Sequence, residues 1–320
     1  MCLTRHRLFL PAAIVRYSHC IASCNGPRVN AKYFLQLIAL SALWGASFPM
    51  LRVVSPQMGA GMTALLRMSI ATVALAIIMR VVGQRWPWQH WRELTLLGLV
   101  SVAGPFLLFS WASLHLPAAY LALLNPTAVV FATLASAWFK EDTLTLNKLV
   151  GCVCGFAGLA LILRLGPLEA TPDVLWGTGA TLLGTLCFGL SAPLMKRATR
   201  RMDPLAITGP IHAAGTLFVL PAGLWGLPQA QFTPEGLLIV TVLGVITSGL
   251  AFWMHLRILS HVTPVASMSP IFFIPMFGVT WAHLFLDEPL SPGFFSGGAL
   301  VLLAAALVTG INPLRRTPPP

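Results

Sequence analysis

Two segments of the chain, 144 positions apart, carry one pattern of residues. Residues 43–52 read Leu-Trp-Gly-Ala-Ser-Phe-Pro-Met-Leu-Arg, and residues 187–196 read Cys-Phe-Gly-Leu-Ser-Ala-Pro-Leu-Met-Lys. Both spell Gly-x-Ser-x-Pro-x-x-(Arg/Lys), pairing Gly45 with Gly189, Ser47 with Ser191, Pro49 with Pro193 and Arg52 with Lys196. In a chain of 320 residues that offset makes the sequence internally duplicated. The fold must be one that a unit of less than half the chain builds twice.

The solvent of that unit is set by its charge. Hydrophobic residues make up 57% of the chain and charged residues 9%, with mean hydropathy +0.80. A soluble domain carries about 25% charged residues, so the surroundings are lipid. Apolar stretches run over approximately 34–54, 62–82, 94–114, 117–139, 147–165, 174–195, 204–226, 236–257, 264–285 and 292–312. Each is close to the roughly 20 residues that cross a bilayer as a helix. Helices satisfy every backbone donor and acceptor internally, and these long continuous runs lack the alternating ten-residue pattern of a membrane barrel. The sequence therefore predicts an all-α integral membrane protein.

The net charge of +11 does not indicate nucleic acid, because the cations fall in short clusters between apolar runs. With a cytoplasmic N-terminus, Arg5, Arg7, Arg16, Arg28, Lys32, Arg80, Arg85, Arg92, Lys140 and Lys148 lie inside. So do Lys196, Arg197, Arg200, Arg201, Arg257, Arg315 and Arg316. Only Arg52 and Arg164 lie at outer ends, and Arg67 falls within a span. This bias predicts a multi-pass protein of the cytoplasmic (inner) membrane with both termini cytoplasmic.

Five spans per copy is an odd number, so two copies in one chain must sit in opposite orientations. The acidic clusters agree: Glu141-Asp142 before the fifth span falls inside, and Asp287-Glu288 before the tenth falls outside. The predicted architecture is ten transmembrane helices in two inverted five-helix repeats, residues 34–165 and 174–312. Such inverted repeats build transporters with a substrate site near the midplane. Residues 1–33 are expected to be a disordered basic extension, with a lipoprotein-like signal as the weaker reading, and 313–320 a cytoplasmic tail. Cys152, Cys154 and Cys187 lie in apolar runs and read as small apolar residues; no metal or other cofactor is expected.

Ordered landmarks across residues 34–312 go further. They are Leu43-Trp44-Gly45-Ala46-Ser47-Phe48, Leu66-Arg67, Pro117-Ala118-Ala119, Glu141-Asp142 with Leu144-Thr145, and Gly151 and Gly158. The second half repeats the design with Pro264, Pro275, Asp287-Glu288-Pro289-Leu290-Ser291 and Gly297-Gly298. This ordered set resembles the EamA-type members of the drug/metabolite transporter superfamily. The resemblance implies carriage of small metabolites such as amino acids, nucleosides or related compounds. The halves have diverged: the position matching Arg67 falls around Ile211–His212, without an arginine, and Pro275 is matched by Val129 with Pro126 nearby.

Candidate cavity residues follow from cost and spacing. A cation inside a span is expensive and normally faces a bundle interior or cavity, so Arg67 reads either as a contact to an anionic group or as a partner of backbone carbonyls. Ser47, Pro49, Ser191 and Pro193 mark the first helix of each copy, where proline frees a carbonyl four residues back. They read as cavity lining or as a packing kink. Asn125 in the fourth span, Ser269 and Pro270 in the ninth, and Tyr120, His212 and Trp253 complete the set. No Asp or Glu lies well within a predicted span, leaving His212, His255 and His283 as titratable candidates. Ser47 stands in Gly-Ala-Ser-Phe-Pro rather than Gly-x-Ser-x-Gly, and no His-Glu-x-x-His occurs, so an enzyme is not expected. The expected function is a secondary transporter working by alternating access, with a channel-like facilitator as the alternative. Its partners are a small-molecule substrate, with Arg67 favouring an anionic one, and the lipid bilayer; a homodimer stays open and nucleic acid is not expected.

Overall fold

The computed structural model describes residues 31–112, 115–116, 124–163, 171–286 and 292–309, and every regular element among them is a helix. The first half contains α1 (Ala31–Met58), α2 (Ala60–Val81), α3 (Trp88–Ala112), α4 (Thr127–Trp138) and α5 (Leu146–Leu163). The second contains α6 (Pro172–Thr199), α7 (Pro204–Gly226), α8 (Pro234–Leu259), α9 (Pro270–Leu286) and α10 (Phe294–Thr309). A single helical turn, Pro264–Ser267, precedes α9. Among the described residues six helices are long and apolar enough to cross a membrane: α2, α3, α6, α7, α8 and the stretch Pro264–Trp281. Thr127–Trp138, Leu146–Leu161 and Phe294–Thr309 are shorter apolar helices.

Local chemistry sets the helix starts of the second half. Thr171-Pro172, Asp203-Pro204, Thr233-Pro234 and Thr263-Pro264 each place a side-chain oxygen ahead of a proline. The oxygen accepts a backbone N–H in the first turn, while proline there loses no hydrogen bond. Between α1 and α2 the chain turns at Gly59, whose φ of 77° lies in the region that favours glycine.

Large apolar side chains point outward, as Leu217, Trp225, Leu238 and Phe295 do, whereas glycine and other small residues meet between helices. That is the arrangement expected where lipid removes the hydrophobic drive between helices and close backbone packing replaces it. Helix α1 packs on α9 and α6 on α4; α8 packs on α1 and α3 on α6; α8 packs on α2 and α3 on α7. Each of these contacts maps onto its companion when α1–α5 are matched in order to α6–α10.

The two remaining large contacts pair matching helices with each other, α2 with α7 and α5 with α10. Gly61 near the start of α2 abuts Ala222 near the end of α7, and Met79 at the other end abuts Gly209, so this pair is antiparallel. At its middle Thr72 Oγ1 and Thr216 Oγ1 are hydrogen-bonded at 3.2 Å, and these residues are again 144 positions apart. In the α5–α10 pair a methyl group at Gly151 would sit 3.0 Å from the Ala304 carbonyl oxygen, and one at Gly158 would sit 2.6 Å from that of Gly297.

Both α3 and α8 contain a π-helical stretch, Leu99–Ala103 and Leu243–Leu250, whose first residues share the same offset. In α3 the stretch leads directly to Pro105, which cannot donate to the carbonyl four residues back; widening the turn relieves the clash. In α8 the matching residue is Gly249.

Candidate functional site: a buried arginine on a widened helix

The π stretch of α8 lies against the middle of α2. Gly244 makes the approach possible, since a methyl there would sit 2.9 Å from the Arg67 carbonyl oxygen. Arg67, only 6% exposed, reaches across this contact. Its Nε donates to Ser248 Oγ, and its Nη2 donates to Thr247 Oγ1 at 3.3 Å. Its Cζ lies 4.5 Å from the centroid of the Phe106 ring of α3, a cation–π contact. Among the described residues no carboxylate pairs with it.

Thr247 joins the arginine to a ring cluster. Its hydroxyl donates to the Leu243 carbonyl at 2.8 Å, and its carbonyl accepts from Trp44 Nε1 at 3.0 Å. The Trp44 ring is 5.4 Å from that of His255, which is 6.0 Å from Phe252, which is 5.2 Å from His212. His212 Nδ1 is 2.9 Å from the Thr208 carbonyl. His212 Nε2 and His255 Nδ1 are buried and have no hydrogen-bond partner. A guanidinium held by two neutral hydroxyls and two unsatisfied imidazole nitrogens thus share the interior between α1, α2, α3, α7 and α8. Buried polar groups ordinarily find partners. Here the arrangement leaves a cation able to take a planar anion and two nitrogens able to take a further hydrogen bond.

Other residues singled out by the sequence lie elsewhere. Ser191 and Pro193 are buried in α6 where it meets α4, and Ser191 Oγ donates to the Phe188 carbonyl at 2.8 Å. Asn125 is half-buried in the turn before α4, and its carbonyl accepts from Ala128 N. Ser269 and Pro270 are buried at the start of α9, with Ser269 Oγ lacking a partner. Ser47 is buried in α1. Trp253 packs with Leu75, Met79 and Leu205, toward the end of α2 and away from Arg67. Pro49 lies within α1, but its side chain, like the whole of Tyr120, is outside the described residues. Thr247, Ser248 and Phe106 carried no sequence signal of their own.

A second polar assembly closes one end of the bundle around the last turn of α6. Arg197 Nε and Arg200 Nη2 donate to Glu141 at 2.9 and 2.6 Å. Lys196 Nζ donates to the Leu259 and Ser260 carbonyls at the end of α8, at 2.7 and 3.0 Å. Arg201 Nη2 donates to Glu93 at 2.6 Å. One helix end is thereby tied to α3, α8 and the connection after α4.

Comparison with known proteins decides the family. The model of the EamA-like transporter family matches the chain twice, over residues 31–164 and 175–310. The chain belongs to the EamA-like transporter family. Among its relatives is a protein of Streptantibioticus cattleyicolor named a probable terminal-alkyne amino-acid exporter, 27% identical over 280 residues, covering 85% of this chain and 91% of that one. The uncharacterized transporter YoaV of Bacillus subtilis is 20% identical over 84% of this chain and 94% of its own length. The uncharacterized inner membrane transporter YedA of Escherichia coli is 23% identical over 86% and 90%. A solved crystal structure superposes with a TM-score of 0.74 at 19% identity, covering 88% of this chain and 98% of that one, and so shares its fold. With its apolar helices, the EamA-like chain is a multi-pass membrane transporter.

Proposed function

We propose that this EamA-like chain is a secondary transporter that carries a small carboxylate-bearing metabolite, an amino acid or a relative of one, by alternating access. Its ten apolar helices act as spans in two inverted five-helix repeats, in the cytoplasmic membrane with both termini cytoplasmic. The antiparallel packing of α2 on α7, centred on the Thr72–Thr216 pair, supports inversion, because matching helices of repeats inverted across a membrane run in opposite directions. The name of the Streptantibioticus relative supports the substrate class.

The observation that carries the reading is Arg67. It lies in the first half of α2, before the Thr72–Thr216 pair, with its charge held by hydroxyls rather than a carboxylate. Leaving a cation so placed costs roughly 2.5–3.5 kcal/mol on insertion scales, which a bound carboxylate would offset. Arg67, Thr247, Ser248, His212 and His255 are buried while Trp44 and Phe106 are partly buried, which supports a carrier whose helices must part around Arg67 to admit substrate. Counterflow in proteoliposomes preloaded with individual L-amino acids tests this. Saturable exchange stimulated by internal amino acid is expected, with a substrate affinity at least tenfold weaker in Arg67→Gln, and flux that never saturates would contradict the carrier reading.

A further inference from the structure

We propose that the end of α2 carries a binding groove for one anionic phospholipid of the surrounding leaflet. A hollow of about 300 Å³ is lined by Ala76, Arg80, Gln84 and Trp86. Arg80 occupies the last turn of α2 and is exposed, and among the described residues it meets no carboxylate. Gln84 follows in the turn toward α3, where its backbone N–H donates to the Met79 carbonyl at 2.8 Å, fixing its place beside the helix end. Trp86 forms the wall: it packs on the Leu75, Met79 and Leu205 cluster and stacks on Trp88 with centroids 6.0 Å apart.

The occupant follows from what continues the groove. Ala76 lies one turn before Arg80 and leaves room on that face of α2, while Val73 and Ile77 beside it are exposed at 59% and 58%. An amphiphile with its phosphate on Arg80 and Gln84 therefore has an apolar path for an acyl chain along the helix, which a free phosphate would not use. The indole wall sits at the level where tryptophans occupy the membrane interface. Charge selects among headgroups. Arg85 adjoins Gln84 in the chain, and the neighbouring carboxylate, Glu93, is already taken by Arg201. A net negative headgroup is favoured over a zwitterionic one, as for basic clusters at membrane surfaces generally. Another hollow of similar size, about 280 Å³ between Glu141, Arg197, Arg200 and Arg201, differs because each of its arginines is already ion-paired, Arg197 and Arg200 with Glu141 and Arg201 with Glu93.

The test is native mass spectrometry of the purified, delipidated full chain titrated with dioleoyl phosphatidylglycerol or dioleoyl phosphatidylcholine. One phosphatidylglycerol per chain should be retained about fivefold more strongly than phosphatidylcholine, and Arg80→Gln should remove that preference. Arg92→Gln, a cation of the same belt whose guanidinium stacks on Trp91 instead, should leave it unchanged. Circular dichroism confirms that each variant folds. Equal retention of the two lipids by the wild type, full preference in Arg80→Gln, or equal losses in both variants would overturn the groove.

Discussion

Two faces of the bundle are built alike and equipped differently. On one, the π stretch of α8 packs on α2 through Gly244, close against the Arg67 carbonyl; on the other, α3 packs on α7 through Gly98, where a methyl would sit 2.6 Å from the Ile211 carbonyl oxygen. Residues 67 and 211 share the offset of 144, as do Thr247 with Ala103 and Ser248 with Gly104. The backbone arrangement is thus present twice, whereas arginine, threonine and serine appear together only once. Duplication supplies the scaffold, and the polar cluster around Arg67 comes from residues that one copy alone carries. The bundle ends differ in the same manner. Arg197, Arg200 and Arg201 at the end of α6 are matched in α1 by Val53, Pro56 and Gln57, so the ionic ties of the α6 end have no matching arginines there.

The severest way to break this comparison is to equip the bare face. Ile211→Arg would bury a cation where Ala103 and Gly104 offer no hydroxyl, and insertion or folding should lose about 3 kcal/mol. Ile211→Met should lose less than about 1.5 kcal/mol. Yield and thermal melting of the purified protein measure both, and equal behaviour would show that the faces do not differ. Next is Thr247→Val with Ser248→Ala, which strips the acceptors from Arg67 and should cost about 1–3 kcal/mol in the same assay. The mirrored change Ala103→Ser adds a buried hydroxyl that can turn to the carbonyl one turn back, and should cost about 1 kcal/mol or less.

Smaller still is the hydroxyl pair where α2 and α7 meet. Thr72→Val and Thr216→Val should each cost about 1 kcal/mol, and the double variant less than their sum, because each hydroxyl bonds its own helix at the carbonyl of Met68 or His212 while the contact between them is shared. Full additivity in melting experiments would mean that the two helices do not meet there. A comparably small loss, about 1 kcal/mol, is expected for Glu141→Gln, whose carboxylate is buried but whose partners Arg197 and Arg200 reach solvent. Its effect should appear as faster maleimide labelling of a cysteine placed at Ser260, whose carbonyl Lys196 holds, and unchanged labelling would remove the ionic ties from any gating role.

Much of this fold was legible in the chain. The apolar runs at 62–82, 174–195 and 204–226 fall on Ala60–Val81, Pro172–Thr199 and Pro204–Gly226, because length and hydropathy are properties of contiguous residues. Arg67 stood out since a lone cation in an apolar run is costly wherever it lands. Its partners did not. Thr247 and Ser248 are ordinary residues of an apolar helix until a π stretch turns them toward α2, and that widening depends on packing rather than on a local motif. Trp253 and Phe252 show the same limit from the other side. One position around the helix separates a ring between the two buried histidines from a ring packed on Leu75. The ties of Glu141 to residues more than fifty positions away were equally invisible, because their spacing is set by the fold.

The central claim is that the Arg67 guanidinium recognises a carboxylate. The direct measurement is a cycle of two ligands and two proteins. The L-amino acid that most stabilises the purified wild type in a thermal-shift series is compared with its own carboxamide, on wild type and on Arg67→Gln, by competition in counterflow. The wild type should prefer the acid by at least about tenfold, and the variant should lose that preference while still folding. An undiminished preference in Arg67→Gln would show that the carboxylate is recognised elsewhere and that Arg67 serves only to hold α2 against α8.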